Sequence, residues 1–364
     1  DEIETNNPKI ANAIKWAYNR SDKIFFTSKL DDHTILAPID ISTGVKQGDP
    51  LGSYLFSLGL KRVINDIKRR FTNLNFNITT YLDDITLLTE TKEDAYTIIN
   101  HLNNKKNQHL GIFVNPEKSK TLPLEQLFSS ECIELLGGLI GNEQKVSQEF
   151  NSKTKAQILA LKKVLSSNLH SQSKLLLIRK SISRINIHLL RTTNPNFKSI
   201  SSTLDDLDQH LLQCIKEIGN LNLEDLSQQN PSALKTFETL CFLPTAFGGF
   251  GLPSYSKSWD TQFLSSLNAA SPQIANLGLT VPPSSNNLTE EMNLEETYKH
   301  TWKNLYDPLP SELKIRIDEN SSQLGKRWLD IHPSYPALRL SDSEVASAIR
   351  LRALIYPTGT GSTC

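Results

Sequence analysis

Cysteine, methionine and aromatic residues are scarce in this chain of 364 residues. It has four cysteines, one methionine and 7% aromatic residues. The cysteines are far apart, without a C-x-x-C pair or a histidine at metal-ligand spacing. This pattern argues against a zinc site built from this chain alone and predicts reduced thiols in an intracellular protein.

Long apolar runs are also missing. No segment approaches the length of a membrane span, and the N-terminal DEIETNNPKI lacks the basic and apolar regions of a signal peptide. We therefore expect a soluble chain without a membrane partner. The length predicts two or three domains, and because the first residue is not methionine we expect a fragment whose start lies upstream.

Acidic residues are absent from one long segment. The whole chain is neutral, with 39 basic and 39 acidic residues, but residues 151–200 contain ten Lys and Arg and no Asp or Glu. On a helical wheel Lys180, Arg184 and Arg191 fall on nearly one line, with four apolar side chains, Ile178, Ile182, Ile185 and Leu189, roughly opposite. An ordinary solvated face mixes charges of both signs. The segment thus predicts contacts with a polyanion, a solvated face being the alternative.

Helical periodicity alternates with short β-prone runs over residues 1–150. The predicted elements are a helix at 8–19, a hairpin around 31–33, a helix at 51–70, two runs meeting at 83–84, a helix at 92–110 and further short strands. The residues predicted to be buried in the second helix are Leu51, Leu55, Leu58, Ile64 and Ile67. The alternation predicts an α+β domain with an antiparallel sheet, followed by helices only.

Two short stretches carry candidate chemistry. In GVKQGDPLGSYLF, Asp49 or Ser53 could simply cap the helix, and Pro50 suits its first turn. In YLDD, Asp83 and Asp84 are predicted at a hairpin tip, where two like charges repel each other unless a cation lies beside them. Mg²⁺ takes one or two carboxylates together with substrate phosphates, and two such ions about 4 Å apart can promote phosphoryl transfer. A lone Asp-Asp pair is more often a turn or a cap.

Four motifs in order resemble the palm of reverse transcriptases, and more narrowly that of non-LTR retrotransposons. They are GVKQGDPLGSYLF, YLDD between hydrophobic runs, LGIFVNPEKSK and ELLGGLIG. The resemblance covers residues 8–150 and implies an RNA-directed DNA polymerase. Its implied fold is an α+β polymerase palm (an antiparallel sheet with packed helices), an all-α thumb and a mainly helical C-terminal region.

The resemblance also implies a role for individual residues. Asp83 is the principal Mg²⁺ ligand, Asp84 its neighbour, and Lys118 lies near the phosphates of the nucleotide, although a surface lysine after a turn is an equal alternative. The residues implied near the nucleotide, template or primer end are Gln47, Gly48, Asp49, Tyr81 and Leu82. Lys180, Arg184 and Arg191 are the implied contacts to the nucleic-acid backbone, and LLGGLIG is the implied primer-grip strand.

The implied domains are a partial palm at 1–150, a helical thumb at 151–220 and a helical connector at 221–364. The connector would lead to a zinc knuckle, with Cys364 as its first ligand, and an endonuclease. The implied partners are an RNA template, a DNA primer or target and deoxynucleoside triphosphates, in the nucleus. The family's first palm aspartate has no match here, so we expect this fragment alone to be inactive.

Two other interpretations stay open. A group II intron-type maturase has a similar palm, although the net acidic tail argues against the basic maturation domain that would follow it. A degenerate palm could survive as an RNA-binding module, although the intact Asp83-Asp84 pair argues against decay at this site.

Overall fold

A computed structural model describes residues 4, 8–18, 22–24, 39–41, 44–46, 48–104, 113–222, 231–276, 278, 294–331, 333 and 338–355. The chain divides into an N-terminal unit, residues 1–123, and a C-terminal unit, residues 124–364. The model is mostly helical with small antiparallel sheets. This is compatible with a palm followed by a helical region. No helix in the described ranges is long and apolar enough to span a membrane.

The N-terminal unit combines helices with two antiparallel strand pairs. Its elements are α1 Pro8–Tyr18, β1 Asp22–Ile24, β2 Ile39–Ile41, α2 Gly52–Arg70, β3 Phe76–Tyr81, β4 Asp84–Thr89 and α3 Lys92–Asn103. β1 pairs with β2, and the tip of this predicted hairpin lies outside the described residues. The short strand predicted after residue 110 is not found within 113–123, which form a turn and loop.

One face of the β3–β4 hairpin is covered by helices, and the other is open. Successive strand residues point to opposite faces, and along β3 half-buried residues alternate with exposed ones. The N-terminal core consists of Val63, Ile67, Ile98 and Leu102 from α2 and α3, packed against Phe71, Leu74, Phe76, Ile78, Leu87 and Val114. The hairpin therefore presents an uncovered outer face that carries Asn77, Thr79 and Tyr81.

The buried face of α2 differs from the predicted one. Leu60, Val63 and Ile67 are buried, whereas Leu51 is exposed. The predicted Leu55, Leu58 and Ile64 are half-buried. Apolar residues occupy more than one face of this helix, so periodicity alone could not select the face that meets α3 and the hairpin.

The described residues of the C-terminal unit form one strand pair and many helices. Its elements are α4 Leu124–Ser129, β5 Cys132–Leu135, β6 Gly138–Gly141, α5 Glu143–Ser166, α6 Ser171–Lys180, α7 Leu189–Thr192, α8 Lys198–Ile218, α9 Pro231–Phe242, α10 Tyr255–Asn276, α11 Leu294–Tyr306, α12 Ser311–Ser321, α13 Gln323–Arg327 and α14 Asp342–Arg352. Its main core joins α5, α8, α10 and α14 through side chains such as Phe150, Ile215, Tyr255 and Ile349. The predicted boundary at residue 150 falls inside α5, because the Asn142 side chain caps this helix at Glu143.

Candidate active site

The YLDD motif forms the tip of the β3–β4 hairpin. Tyr81 pairs with Asp84, which leaves Leu82 and Asp83 as a two-residue turn. All four residues are exposed. Leu82 has φ +52°, a left-handed conformation that is unfavourable for a residue with a side chain and that often marks functional turns. The sequence thus correctly predicted a tight hairpin with both carboxylates at its tip.

Both carboxylates are open to a ligand. Asp84 shares the uncovered outer face with Tyr81, and Asp83 lies in the turn. Among the described residues neither carboxylate accepts a hydrogen bond or forms an ion pair. These carboxylate oxygens are suitable ligands for Mg²⁺, which binds one or two carboxylates and completes its coordination shell with waters and substrate oxygens. The described residues contain no group of three or more His, Cys, Asp or Glu that could hold a metal by itself.

The loop before α2 is tied to α1 by Asp49. The Asp49 carboxylate accepts hydrogen bonds from the Tyr18 hydroxyl at 2.5 Å and from the Leu51 backbone N–H at 2.8 Å. These bonds lower the pKa of Asp49, and the bond to Asp49 raises the pKa of Tyr18. Lys46 adds a hydrogen bond of 2.8 Å to the Ala17 carbonyl and lies over the Tyr18 ring.

Leu51 is the N-cap of α2 and has no side-chain cap hydrogen bond, so Asp49 stabilises the turn before the helix and does not cap it. The predicted contact of Asp49 with nucleotide or template stays a prediction. Sequence reasoning missed Tyr18, whose only signal was an aromatic residue at a helix end. Gly48 is exposed at φ +84°, with open space around its Cα, so glycine is required there by conformation rather than by crowding. Gln47 lies outside the described residues.

Lys118 lies in an exposed turn of the N-terminal unit. The Asn115 carbonyl accepts hydrogen bonds from the backbone N–H groups of Lys118 and Ser119, and the Asn115 side chain accepts one from Glu117. Val114, which precedes this turn, packs on the N-terminal core. The turn with Lys118 and the hairpin with Asp83 are therefore attached to the same core.

The stretch LLGGLIG, predicted as one primer-grip strand, instead forms the end of β5, a tight turn and β6. Leu135 pairs with Gly138, and the turn residues Leu136 and Gly137 have φ +50° and +81°, as in a type I′ turn. A Cβ on Gly138 would lie 3.2 Å from the Thr192 side chain. The hairpin therefore packs closely against α7.

The predicted backbone-contact residues do not share one continuous helix. α6 ends at Lys180, a short 3₁₀ turn covers Ile182–Arg184, and Ile185, predicted to be buried, is 48% exposed. The Arg179 carbonyl accepts hydrogen bonds from the side chains of Ser183 and Arg184. Such side-chain bonds compete with the backbone hydrogen bonds of a helix. They explain why the helix assumed in the helical-wheel prediction ends at Lys180.

These three cations differ in their surroundings. Lys180 Nζ lies 2.7 Å from a carboxylate oxygen of Asp330, and Arg184 donates to the Gly251 carbonyl at 3.4 Å. Arg191 is exposed and has no side-chain partner among the described residues. Arg191 is therefore the most accessible of the three for an external phosphate.

One comparison with known proteins gives a match. No significant match is found among curated proteins or among solved structures. Residues 10–140 match the family model described as "Reverse transcriptase (RNA-dependent DNA polymerase)". The matched range runs from α1 into β6 and includes Gly48, Asp83, Asp84 and Lys118. The match supports a reverse transcriptase domain over residues 10–140.

Proposed function

We propose that this chain is part of an RNA-directed DNA polymerase whose catalytic carboxylates are Asp83 and Asp84. The observation that carries the proposal is the exposed carboxylate pair, without a partner in the described part of the chain, at the tip of a hairpin that packs on α2 and α3. This hairpin lies inside the range that matches reverse transcriptases. Its open face leaves room for a nucleic-acid substrate.

The proposed roles follow from the chemistry of each side chain. Asp83 and Asp84 hold Mg²⁺, which, when bound, favours attack by a primer 3′-hydroxyl and departure of pyrophosphate. Lys118 carries an exposed ammonium group that can give a proton to the departing pyrophosphate. The exposed backbone at Gly48 lies next to the nucleotide and template, and Tyr81 and Leu82 flank the primer end.

The wider proposal concerns the element and its partners. We infer a non-LTR retrotransposon enzyme with a palm over 1–150, a thumb over 151–220 and a helical connector over 221–364. It copies an RNA template from a DNA primer or target in the nucleus. Lys180, Arg184 and Arg191 contact the nucleic-acid backbone, and such contacts suit an enzyme that copies any sequence.

No group of three or more His, Cys, Asp or Glu gathers among the described residues, and the first palm aspartate of the family has no match in the sequence. We therefore expect primer extension by residues 1–364 alone to be negligible. A protein that includes whatever its gene encodes before Asp1 is expected to extend a DNA primer on an RNA template. Asp83→Asn should lower that rate by about a thousandfold or more.

Metal binding by this chain can be tested without catalysis. Fe²⁺ in place of Mg²⁺, with ascorbate and peroxide, generates radicals that cut the backbone near a bound ion. We expect cuts at the hairpin tip that excess Mg²⁺ suppresses and that Asp83→Asn removes. The matched control is Glu90→Gln, which removes an exposed carboxylate just beyond β4, away from the tip.

Cuts that persist in Asp83→Asn would contradict the assignment of the metal site. Extension by the longer protein that survives Asp83→Asn would contradict the assignment of the catalytic site. Binding of nucleic acid without metal-dependent cuts or extension would instead favour a degenerate palm that binds RNA.

A further inference from the structure

Two cations contact the Asp330 carboxylate in the C-terminal unit, and two more interact with Arg179. The Asp330 cluster consists of Arg179, Lys180, Arg184, Arg352 and Asp330. Asp330 lies 2.7 Å from Lys180 Nζ and 3.4 Å from Arg179 Nη1. The charge of Arg352 interacts with those of Arg179 and Asp330, and the charge of Arg184 interacts with that of Arg179. Four cations against one carboxylate leave three formal positive charges.

The two deepest cations are held by neutral carbonyl groups. Arg179, 4% exposed, donates to the carbonyls of Phe250 and Leu329, both at 2.6 Å. Arg352, 1% exposed, donates to the carbonyls of Gly249, Asn320 and Gly325 at 2.8–3.1 Å. Carbonyl groups satisfy the N–H donors without neutralising the charge. Burial lowers the pKa of Arg352 to about 9.

Three residues of the Asp330 cluster are accessible from solvent. The side chains of Lys180 and Asp330 are 55% and 45% exposed, and Arg184 is exposed as well. An ion pair at this exposure is weakly held. Carboxylate and phosphate oxygens bind ammonium and guanidinium groups in the same way. An external phosphate could therefore take the place of the Asp330 carboxylate.

We propose that Asp330 is a built-in competitor that occupies a phosphate-binding site formed by Lys180 and Arg179. Residues 151–200, which include Arg179 and Lys180, contain no acidic residue. The carboxylate that pairs with these cations belongs to Asp330, which lies 151 positions after Arg179 in the chain. The ligand that displaces it is a phosphodiester group of nucleic acid, and in this respect the inference rests on the proposed function. Asp330 thus lowers the affinity of the C-terminal unit for nucleic acid.

The test is the affinity of residues 1–364 for an RNA–DNA duplex, measured by fluorescence anisotropy at several salt concentrations. Asp330→Asn should lower Kd by roughly two- to fivefold at low salt. It should also steepen the slope of log K against log salt by up to about 0.9, since one more phosphate is contacted. In a Lys180→Ala background the gain should shrink, because the freed cation is missing.

The matched control is Glu319→Gln, which makes the same change of charge at a carboxylate that pairs with Arg316 at 3.0 Å. Its expected effect on Kd is below about 1.5-fold. An unchanged Kd and slope in Asp330→Asn, or an equal gain in Glu319→Gln or in the Lys180→Ala background, would overturn the inference. Absence of duplex binding by both the wild-type chain and Asp330→Asn would overturn it too.

A second measurement needs no substitution at Asp330. NMR signals of the Lys180 ε-carbon and the Asp330 carboxyl should shift when duplex is added to the wild-type chain, and unshifted signals would contradict displacement. Failure of the proposed function is read separately, from the missing metal-dependent cuts at Asp83. If Asp330→Asn still raised the affinity for duplex while those cuts were absent, the inference would stand for nucleic-acid binding, and only the proposed polymerase function would fail.

Discussion

Two groups of charged residues, one in each unit, show two different uses of charge. At the hairpin of the N-terminal unit, Asp83 and Asp84 are exposed and have no partner among the described residues. In the C-terminal unit, Arg179, Arg352 and Asp208 are at most 5% exposed and are hydrogen-bonded inside the fold. Asp83 and Asp84 are thus available to a ligand, whereas Arg352 and Asp208 stabilise the fold. Sequence charge counts do not separate these two uses.

The strongest test of this difference is Arg352→Met. The substitution leaves the carbonyls of Gly249, Asn320 and Gly325 without their guanidinium donor, and we expect the free energy of unfolding to fall by about 3 kcal/mol. Arg350→Met is the matched control. Arg350 is on the same helix and makes one exposed hydrogen bond, to the Asn220 carbonyl. Its effect should stay below about 1 kcal/mol. Urea unfolding measures both, and equal effects would remove the structural role assigned to Arg352.

A substitution at Asp208 is expected to lower the free energy of unfolding somewhat less than Arg352→Met does. Its carboxylate accepts hydrogen bonds from the backbone N–H groups of Tyr255 and Ser256, which begin α10, and from the hydroxyls of Ser254 and Ser256. Asp208→Asn should destabilise the protein by about 2 kcal/mol, because the amide group must face a buried donor. Asp206→Asn, an exposed carboxylate on the same helix, should change stability by less than about 0.5 kcal/mol. A stability loss in Asp206→Asn as large as that in Asp208→Asn would break the distinction.

The effect of Asp208 should also depend on pH. Burial raises the pKa of Asp208 above its ordinary value of 3.8, against the effect of the four hydrogen bonds. Between 3.8 and the raised pKa the folded state binds more protons than the unfolded state, so the contribution of Asp208 to stability decreases as pH rises. The loss caused by Asp208→Asn should therefore be larger near pH 3 than near pH 7, in urea unfolding at both values.

The smallest expected effects come from replacing Leu82 and Leu136, which both have positive φ and lie in different units. Asn tolerates this conformation better than Leu, and Leu136→Asn also creates the Asn-Gly pair preferred in such turns. Leu136→Asn and Leu82→Asn should each stabilise their hairpin by about 0.5–1 kcal/mol, seen as slower amide hydrogen exchange. Only Leu82→Asn should also weaken Fe²⁺ cleavage at the YLDD tip. An equal loss of cleavage in Leu136→Asn would show that the strain at Leu82 has no local role.

The β3–β4 hairpin was predictable from the sequence, whereas distant contacts were not. The β-prone runs on both sides of Asp83 and Asp84 were enough to predict the hairpin and its tip, because a tight turn is determined by neighbouring residues. The end of α6 at Lys180 was missed because the carbonyls there bond to side chains, among them Gln157 from α5. The pairing of Lys180 with Asp330 was missed for a related reason. No periodicity connects residues 150 positions apart.

The bonds of Arg179 also set an order of events during synthesis. Its partner Leu329 is 150 residues later in the chain, and at ordinary rates of translation those residues take on the order of 8 to 30 s to appear. Until then the guanidinium of Arg179 has no carbonyl from Leu329, and α6 cannot reach its final environment. The environment of α6 is therefore complete only when the last third of the C-terminal unit has been synthesised.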